Sequence, residues 1–315
     1  MRIFLLIAFP ILFVSCLNTN KNSVAKEETP LYKSISIDTL EREVGTSKSI
    51  EIRIDKDVPI RSYFRWMDSI VTAHNEAYTY SIDEYDIVHF NPWIIDTLAN
   101  TDYYYLMEKG IFNEDSQTLI ALAKDQVLLI PDSLQTQHIK SQLSKTHLAM
   151  NIPEFKLRII QDGEELYSFP VRVGKNGKRY LAMAKREVDM RTMPGKGEIV
   201  RVNKDPTFIK PQNNSPYYST SRDDGKRTKL PAIPWLEPSI NGIRIGQLIH
   251  PTTNLETLEK ASSNGCIGLR ESDAWIVYYY APLGTKVDFT YELEVENENG
   301  EMIQLEDIYP DFKGK

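Results

Sequence analysis

The stretch 250–270 holds the residues best suited to covalent chemistry, because it contains Cys266 and begins at His250. A thiol becomes a nucleophile when its thiolate is favoured, and an imidazole within hydrogen-bond reach is the usual way to achieve this at neutral pH. The dipeptide Asn264-Gly265 before the cysteine is typical of a turn that leaves backbone amides pointing inward. The pattern favours a cysteine nucleophile, a histidine base and an amide oxyanion hole.

The spacing of these two residues alone leaves another interpretation open. A lone cysteine is often a small buried hydrophobe, and one His–Cys pair is weak evidence for catalysis. Zinc is less favoured still, since two ligands without a CxxC or HxxxH partner do not fill a tetrahedral site. We therefore expect no metal and no organic cofactor.

Motifs on both sides of Cys266 carry a more specific signal, because they occur together and in a fixed order. Together they resemble the signature of the L,D-transpeptidase (YkuD-like) catalytic domain, over residues from about 150 to 290. The matching segments are Thr192-Met193-Pro194-Gly195-Lys196-Gly197-Glu198-Ile199, Ile249-His250, Ser263-Asn264-Gly265-Cys266-Ile267, Asp273-Ala274 and Gly284-Thr285-Lys286-Val287.

Two positions depart from the family pattern. The family's second histidine, two residues before the cysteine, is Asn264 here, and the arginine usually found two residues after the cysteine is Gly268. The family's general base is the earlier histidine, which matches His250, and Asn264 retains a side chain able to donate a hydrogen bond. Arg270, two places beyond Gly268, is the candidate substitute for the arginine.

The resemblance implies a cysteine-dependent acyltransferase acting on peptidoglycan stem peptides. Cys266 would attack the carbonyl of the third residue of a donor tetrapeptide and release D-alanine, with His250 as base and acid. The amides of Gly265 and Cys266, in the turn with Ser263 and Asn264, would stabilise the oxyanion. Two alternatives stay open: an L,D-carboxypeptidase or endopeptidase using the same cysteine, and a non-catalytic peptidoglycan-binding lipoprotein.

The N-terminus predicts export. Met1-Arg2 and the apolar run 3–14 are typical of a signal peptide, since the run is too short to span a membrane. Phe13-Val14-Ser15-Cys16 resembles the bacterial lipobox, which implies lipidation of Cys16 and a membrane anchor facing the periplasm; a plain secretory peptide is the alternative. Residues 17–30 are polar and without periodicity, as expected of a flexible tether. Lipidation of Cys16 would leave Cys266 without a disulfide partner.

The charge and pattern of the remaining chain predict an α+β protein. The formal net charge is −7 and no basic cluster is present, so nucleic acid is not an expected partner. Residues 31–148 are predicted to form a smaller α/β domain of uncertain role, with glycan binding as one option, and apolar residues at helical spacing predict an amphipathic helix over 60–77 within it. Residues 149–295 are predicted to form a mainly antiparallel β-sandwich, with a hairpin that turns at Asp162-Gly163, a buried strand at 243–249 and a long closing strand at 287–295, followed by an acidic surface tail at 296–315.

Residues 204–235 are rich in Pro, Asn, Ser, Tyr and charge, and they show no periodicity. A long loop inside a compact domain is usually functional or disordered. Its position before the active-site strand favours a lid, lined by Tyr217, Tyr218 and Trp235, with Arg222 contacting a substrate carboxylate. A solvated insertion without a substrate role is the alternative.

Overall fold

The computed structural model describes residues 49–210, 213–297 and 299–312, and these residues confirm the α+β class. The predicted signal peptide and tether, including Cys16, lie outside the described residues. The helices are α1 (Ile60–Ala77), α2 (Glu84–Phe90), α3 (Trp93–Ala99), α4 (Tyr103–Glu108), α5 (Ser133–Ser144) and α6 (Glu271–Tyr280).

The strands are short apart from those of one large sheet. In chain order they are β1 (Ile50–Arg53), β2 (Val58–Pro59), β3 (Ile120–Leu122), β4 (Val127–Ile130), β5 (Thr146–Asn151), β6 (Lys156–Gln161), β7 (Glu164–Pro170), β8 (Val173–Gly174), β9 (Lys178–Leu181), β10 (Arg186–Asp189), β11 (Gly195–Asn203), β12 (Ile209–Lys210), β13 (Ser215–Pro216), β14 (Ser219–Ser221), β15 (Arg227–Lys229), β16 (Trp235–Ile240), β17 (Ile243–Arg244), β18 (Ile249–Pro251), β19 (Ala261–Ser263), β20 (Ile267–Leu269), β21 (Lys286–Thr290), β22 (Glu294–Glu296) and β23 (Met302–Gln304).

The large sheet has nine strands in the order β20-β18-β16-β11-β21-β5-β6-β7, with β17 paired to β16. It is mainly antiparallel, as predicted, and the pairs β18–β20 and β5–β21 are parallel. The hairpin β6–β7 turns at Asp162 and Gly163, which both have positive φ, 53° and 84°. Two consecutive positive φ values are typical of the turn that matches strand twist, so the sequence predicted this hairpin correctly.

Helix α6 lies in the middle of the molecule, in contact with α2 and α3 on one side and with β18 on the other. Acidic residues Glu271 and Asp273 in its first turn complement the helix dipole, and Pro282 follows its end. Trp275, Tyr278 and Tyr279 are fully buried. A helix that is buried on every side requires neighbours all round. Helix α1 is one of these neighbours, and the hydroxyls of Tyr63 and Tyr279 lie 2.6 Å apart where the two helices meet.

One continuous core joins the helices to the sheet, and the described residues fall within a single compact unit, Tyr32–Lys315. The predicted boundary at 148/149 lies inside β5. The C-terminal segment also enters this core, because Tyr309 is fully buried. The prediction of a surface tail at 296–315 was wrong at that position, since an aromatic ring with a place in the core overrides the acidic character of the residues around it.

Three other predictions were wrong in detail. The buried strand at 243–249 is two strands, β17 and β18, and Ile243 is 64% exposed. The closing strand breaks between β21 and β22, and β22 pairs with β23 instead of continuing in the large sheet. The stretch 204–235 contains two small hairpins, β12–β13 and β14–β15, which its irregular composition does not indicate.

Candidate active site

Strands β18 and β20 bring His250 and Cys266 to the same place. The two strands are parallel, with Ile249 opposite Ile267 and His250 opposite Gly268. Cys266 is therefore level with Leu248, and the Leu248 amide lies 3.4 Å from the Cys266 sulfur. Side chains alternate along a strand, so residues 248 and 250 share a face with residues 266 and 268. Continued one residue before β20, this alternation places the thiol on the face of β18–β20 that carries the imidazole.

The turn before the cysteine depends on a glycine. Gly265 has φ of +107°, and a Cβ there would lie 2.8 Å from Nε2 of Gln247. The Gln247 side chain is itself fixed, because Nε2 donates to Arg191 O at 2.6 Å and Oε1 accepts from the Met193 amide at 3.0 Å. Only glycine combines this backbone conformation with this close approach.

The Ser263 hydroxyl closes the turn from inside. It donates to Cys266 O at 2.6 Å and accepts from the Gly265 amide at 3.1 Å. The Gly265 amide thus already has an acceptor in this conformation, and its role in stabilising an oxyanion stays a prediction. Among the described residues the Cys266 amide has no acceptor. Asn264 is half-buried, and its side-chain amide makes no hydrogen bond within the same set of residues.

His250 is oriented by backbone, not by a threonine side chain. Nδ1 lies 2.8 Å from the carbonyl oxygen of Pro251, so the neutral ring carries its proton on Nδ1 and leaves Nε2 as the basic nitrogen. The ring also contacts Trp235, with centroids 5.5 Å apart. The nearby Thr252 hydroxyl donates to Asn254 O at 3.3 Å.

The pKa of His250 is lowered to about 4: burial is the largest cause, the positive charge of Arg172 adds to it, and the hydrogen bond to Pro251 acts in the opposite direction. Burial raises the pKa of the Cys266 thiol, while the Leu248 amide and Arg172 oppose that rise. Both groups are thus neutral at pH 7. A neutral imidazole beside a neutral thiol is the starting state for general-base activation of the sulfur.

Arg172 was missed by the sequence reasoning, although it is the charged group that acts on both reactive side chains. It lies just before β8 and pairs with Gly268 in an isolated antiparallel bridge. Its place in the chain gives no motif. The available signal was Gly268, where an absent side chain leaves room for one from a neighbouring segment.

Thr192 and Tyr309 support the turn from behind. The Thr192 hydroxyl donates to Gly265 O at 3.0 Å and accepts from the Gly174 amide at 2.8 Å. The Tyr309 hydroxyl accepts from the Thr192 amide at 3.2 Å and donates to Gly174 O. The motif at 192–199 therefore contributes a buried threonine to the site, whereas no sequence motif indicates the tyrosine.

The predicted substrate-binding residues fall in different environments. Trp235 contacts His250, and Tyr217 is half-buried with its ring 5.9 Å from Phe208. Tyr218 is 74% exposed, so its predicted role as apolar lining was wrong in this structure. Arg270 is exposed at the start of α6, and its charge acts on Asp273.

Arg222 contacts a carboxylate, but that carboxylate belongs to the protein. Its Nη1 donates to Glu271 Oε1 at 2.5 Å, its Nε donates to Thr228 Oγ1 at 2.7 Å, and both charged side chains are at most 2% exposed. The guanidinium also lies over the ring of Tyr103, 4.4 Å from its centroid. The prediction of a substrate contact was wrong, because the insertion folds its arginine inward to meet α6.

Two features are absent from the described residues. No group of three or more His, Cys, Asp or Glu side chains in the described part of the chain is arranged to hold a metal ion. Among the same residues, no helix has the length and apolar character needed to cross a membrane.

Comparison with known proteins found a family match in the sheet-rich part of the chain. Residues 145–289 match the model of the family described as YkuD, the L,D-transpeptidase catalytic domain. No curated protein matches the chain.

Similar solved structures include three L,D-transpeptidases. One from Mycobacterium smegmatis has 15% identity and a TM-score of 0.32, covering 46% of this chain and 58% of its own. One from Xylanimonas cellulosilytica has 10% identity and a TM-score of 0.34, covering 78% and 100%. One from Mycobacterium tuberculosis has 16% identity and a TM-score of 0.29, covering 46% and 57%. The match spans less than two thirds of the two mycobacterial proteins.

Proposed function

We propose, from the premise that residues 145–289 form a catalytic domain of the L,D-transpeptidase family, that this protein transfers acyl groups between peptidoglycan stem peptides through a thioester on Cys266. The observation that carries the proposal is the position of His250 and Cys266 on one face of the parallel pair β18–β20, with Nδ1 of the imidazole directed to Pro251 O.

The first half-reaction breaks a peptide bond. Nε2 of His250 takes the proton from Cys266, and the sulfur attacks the carbonyl carbon of the third residue of a donor tetrapeptide. The Cys266 amide is the backbone donor available for the resulting oxyanion. The C–N bond then breaks, the imidazolium gives its proton to the departing amine, and D-alanine leaves. The peptide remains bound to the sulfur as a thioester.

The second half-reaction transfers the peptide to an acceptor. A side-chain amine of a second stem peptide gives a proton to Nε2 and attacks the thioester carbon. Collapse of the tetrahedral intermediate breaks the C–S bond, and the sulfur regains its proton from the imidazolium. The products are a new amide and free Cys266. Water in place of the amine would give hydrolysis, which is the carboxypeptidase alternative.

The first test is mass spectrometry of the intact protein after incubation with a carbapenem, whose strained amide acylates activated nucleophiles. A stable adduct is expected on the unchanged chain, and none on Cys266→Ala. A folded protein that forms no adduct would contradict the proposal and favour a non-catalytic binding protein. A donor tetrapeptide with and without an added amine then separates transfer from hydrolysis, since only transfer yields the amide product.

We also propose export and lipid anchoring at Cys16, on the sequence pattern of residues 1–16. Labelling of cells with a tagged fatty acid is expected to mark the unchanged protein and to leave Cys16→Ser unmarked. Labelling of both proteins to the same extent would contradict the anchor.

A further inference from the structure

Arg172 reaches the site by pairing with the strand that carries the cysteine. Its amide donates to Gly268 O at 3.0 Å, and its carbonyl accepts from the Gly268 amide at 3.0 Å. Gly268 is the second residue after Cys266, so the pairing fixes the arginine backbone beside the nucleophile.

The Arg172 side chain lies across the bare face of Gly268. A Cβ at residue 268 would lie 2.5 Å from Arg172 Nε, 2.8 Å from Cγ and 3.0 Å from Cδ. Residue 268 shares its face of the β18–β20 pair with Cys266 and His250. The guanidinium group therefore extends over the face on which the chemistry is proposed, and any side chain at residue 268 would displace it.

The charge of Arg172 has no counter-ion among the described residues. Its one side-chain hydrogen bond within them is weak, from Nη1 to Thr257 Oγ1 at 3.4 Å, and Nε, which is shielded from solvent, has no acceptor. A half-buried cation with an unmet buried donor is stabilised when an anion joins it. The groups on which the charge acts are Cys266, His250 and Tyr217, and none of them is negatively charged at pH 7 in the resting site.

We propose that the Arg172 guanidinium is the anion-binding group of this site and that it binds a substrate carboxylate beside Cys266. Guanidinium and carboxylate form paired, charge-assisted hydrogen bonds, so the unmet donor would be satisfied when substrate is bound. The inference rests on the proposed function for the identity of the substrate, but not for the presence of the anion site.

Within the proposed reaction, the carboxylate of the departing D-alanine is the one that fits. A single Cα separates that carboxylate from the amide nitrogen of the bond that breaks, so it remains close to the sulfur throughout. The third residue of the donor is a diamino acid in the proposed reaction, and its side-chain carboxylate lies several bonds further away. Arg172 would thus select donors with a free terminal carboxylate next to the bond that is cleaved.

The test compares two alkylating reagents that differ in charge. Iodoacetate and iodoacetamide each form an S–C bond with Cys266 and release iodide, and the tryptic peptide 261–270 isolates Cys266 from Cys16. A change at residue 172 also alters the fraction of Cys266 present as thiolate, but this fraction cancels in the ratio of the two alkylation rates. N-acetylcysteine, a thiol without a protein around it, gives the reference value of that ratio. We expect the unchanged chain to favour iodoacetate over that reference by about tenfold, and Arg172→Gln to lose the preference.

Arg172→Lys keeps the charge and is expected to retain most of the preference, while Arg201→Gln is the matched control for loss of a distant charge. Arg201 bonds Glu237 and has no contact with the site. Equal ratios in the unchanged chain, Arg172→Gln and Arg172→Lys would overturn the proposal. Thermal unfolding of each variant establishes that the proteins compared are folded.

A second measurement needs no variant. D-alanine is expected to protect Cys266 from iodoacetamide in the unchanged full chain, whereas D-alaninamide, which lacks the carboxylate, is not. Equal protection by the two compounds, or none by either at concentrations up to their solubility, would overturn the assignment of this carboxylate.

The two proposals fail in different ways. A charge preference that depends on Arg172, without a carbapenem adduct, would leave the anion site in place and remove the acyltransferase function. A carbapenem adduct without any charge preference would do the reverse.

Discussion

Arg172 is half-buried and Arg222 is buried, and their guanidinium groups meet different partners. Arg222 bonds Glu271 and Thr228 and lies over the ring of Tyr103, so its Nη1 and its Nε both have acceptors. Arg172 has one weak side-chain hydrogen bond and no carboxylate among the described residues. The comparison shows that the satisfaction of its donors distinguishes a structural arginine from one available to a ligand.

The largest effect is expected where the satisfied pair is broken. Arg222→Gln leaves Glu271 buried without its cation, which should lower the free energy of unfolding by about 3–5 kcal/mol. Urea denaturation measures this loss. Arg227→Gln, on the same hairpin but exposed, is the matched control and should change stability by less than about 0.5 kcal/mol. Equal small losses in both variants would remove the distinction between the two arginines.

The pH dependence of that variant gives its mechanism. Burial raises the pKa of Glu271 to about 7, with Arg222 opposing the rise, against an ordinary value near 4.5. A carboxyl group with a raised folded-state pKa favours the folded state at low pH and loses that contribution as pH rises through the folded-state value. Arg222→Gln should therefore be less destabilising at pH 5 than at pH 8. A penalty independent of pH would assign the loss to packing.

A smaller effect is expected from adding one methyl group opposite Arg172. Gly268→Ala places a Cβ 2.5 Å from Arg172 Nε, so the side chain must move. We expect a cost of about 1–3 kcal/mol in unfolding free energy, together with a lower rate of acylation by a carbapenem. The double variant Arg172→Ala/Gly268→Ala should regain stability but not reactivity. Recovery of both properties would show that Arg172 only fills space.

The acid limit of Cys266 reactivity tests the charge of Arg172 more finely. The pKa of His250, about 4, keeps the imidazole neutral well below pH 6.5. As the pH falls, the rate of acylation should therefore stay constant until the pH approaches 4. Removing a neighbouring positive charge favours the imidazolium ion, and the limit should therefore move to higher pH in Arg172→Gln. Rate–pH profiles of the unchanged chain and of Arg172→Gln measure this limit in each protein. An unchanged limit would mean that the arginine charge does not reach the imidazole.

The smallest effect concerns the two adjacent tyrosines of the insertion. Tyr217 is half-buried and its hydroxyl interacts electrostatically with Arg172, whereas Tyr218 is 74% exposed. Tyr217→Phe is expected to change the iodoacetate preference of Cys266 by about twofold, and Tyr218→Phe by nothing measurable. The same alkylation assay serves for both variants. A larger effect from Tyr218 would place that ring over the site in solution.

The sequence was informative where local patterns decide the structure. Alternation and the Asp162-Gly163 turn predicted the hairpin β6–β7, and helical periodicity predicted α1 with the bounds observed, Ile60–Ala77. His250 and Cys266 were identified by residue type and motif order. These features depend on neighbours in the chain, which a single sequence displays directly.

The rest required contacts between distant segments. Arg172 meets Gly268 across nearly a hundred residues, and Arg222 was assigned to the substrate because its partner, Glu271, lies 49 residues away in the chain. The use of the Gly265 amide by Ser263 depends on the exact conformation of one turn. No periodicity records such pairings, so the sequence offered the correct residue types with the wrong partners.

The burial of Tyr309 bears on how this protein is best handled at the bench. The family match ends at residue 289, yet the hydroxyl of Tyr309 holds Gly174 and Thr192 in place behind the cysteine turn. Trimming the gene to the family boundary would remove that ring and open the base of the site to water. Loss of activity in such a shortened protein would reflect the cut.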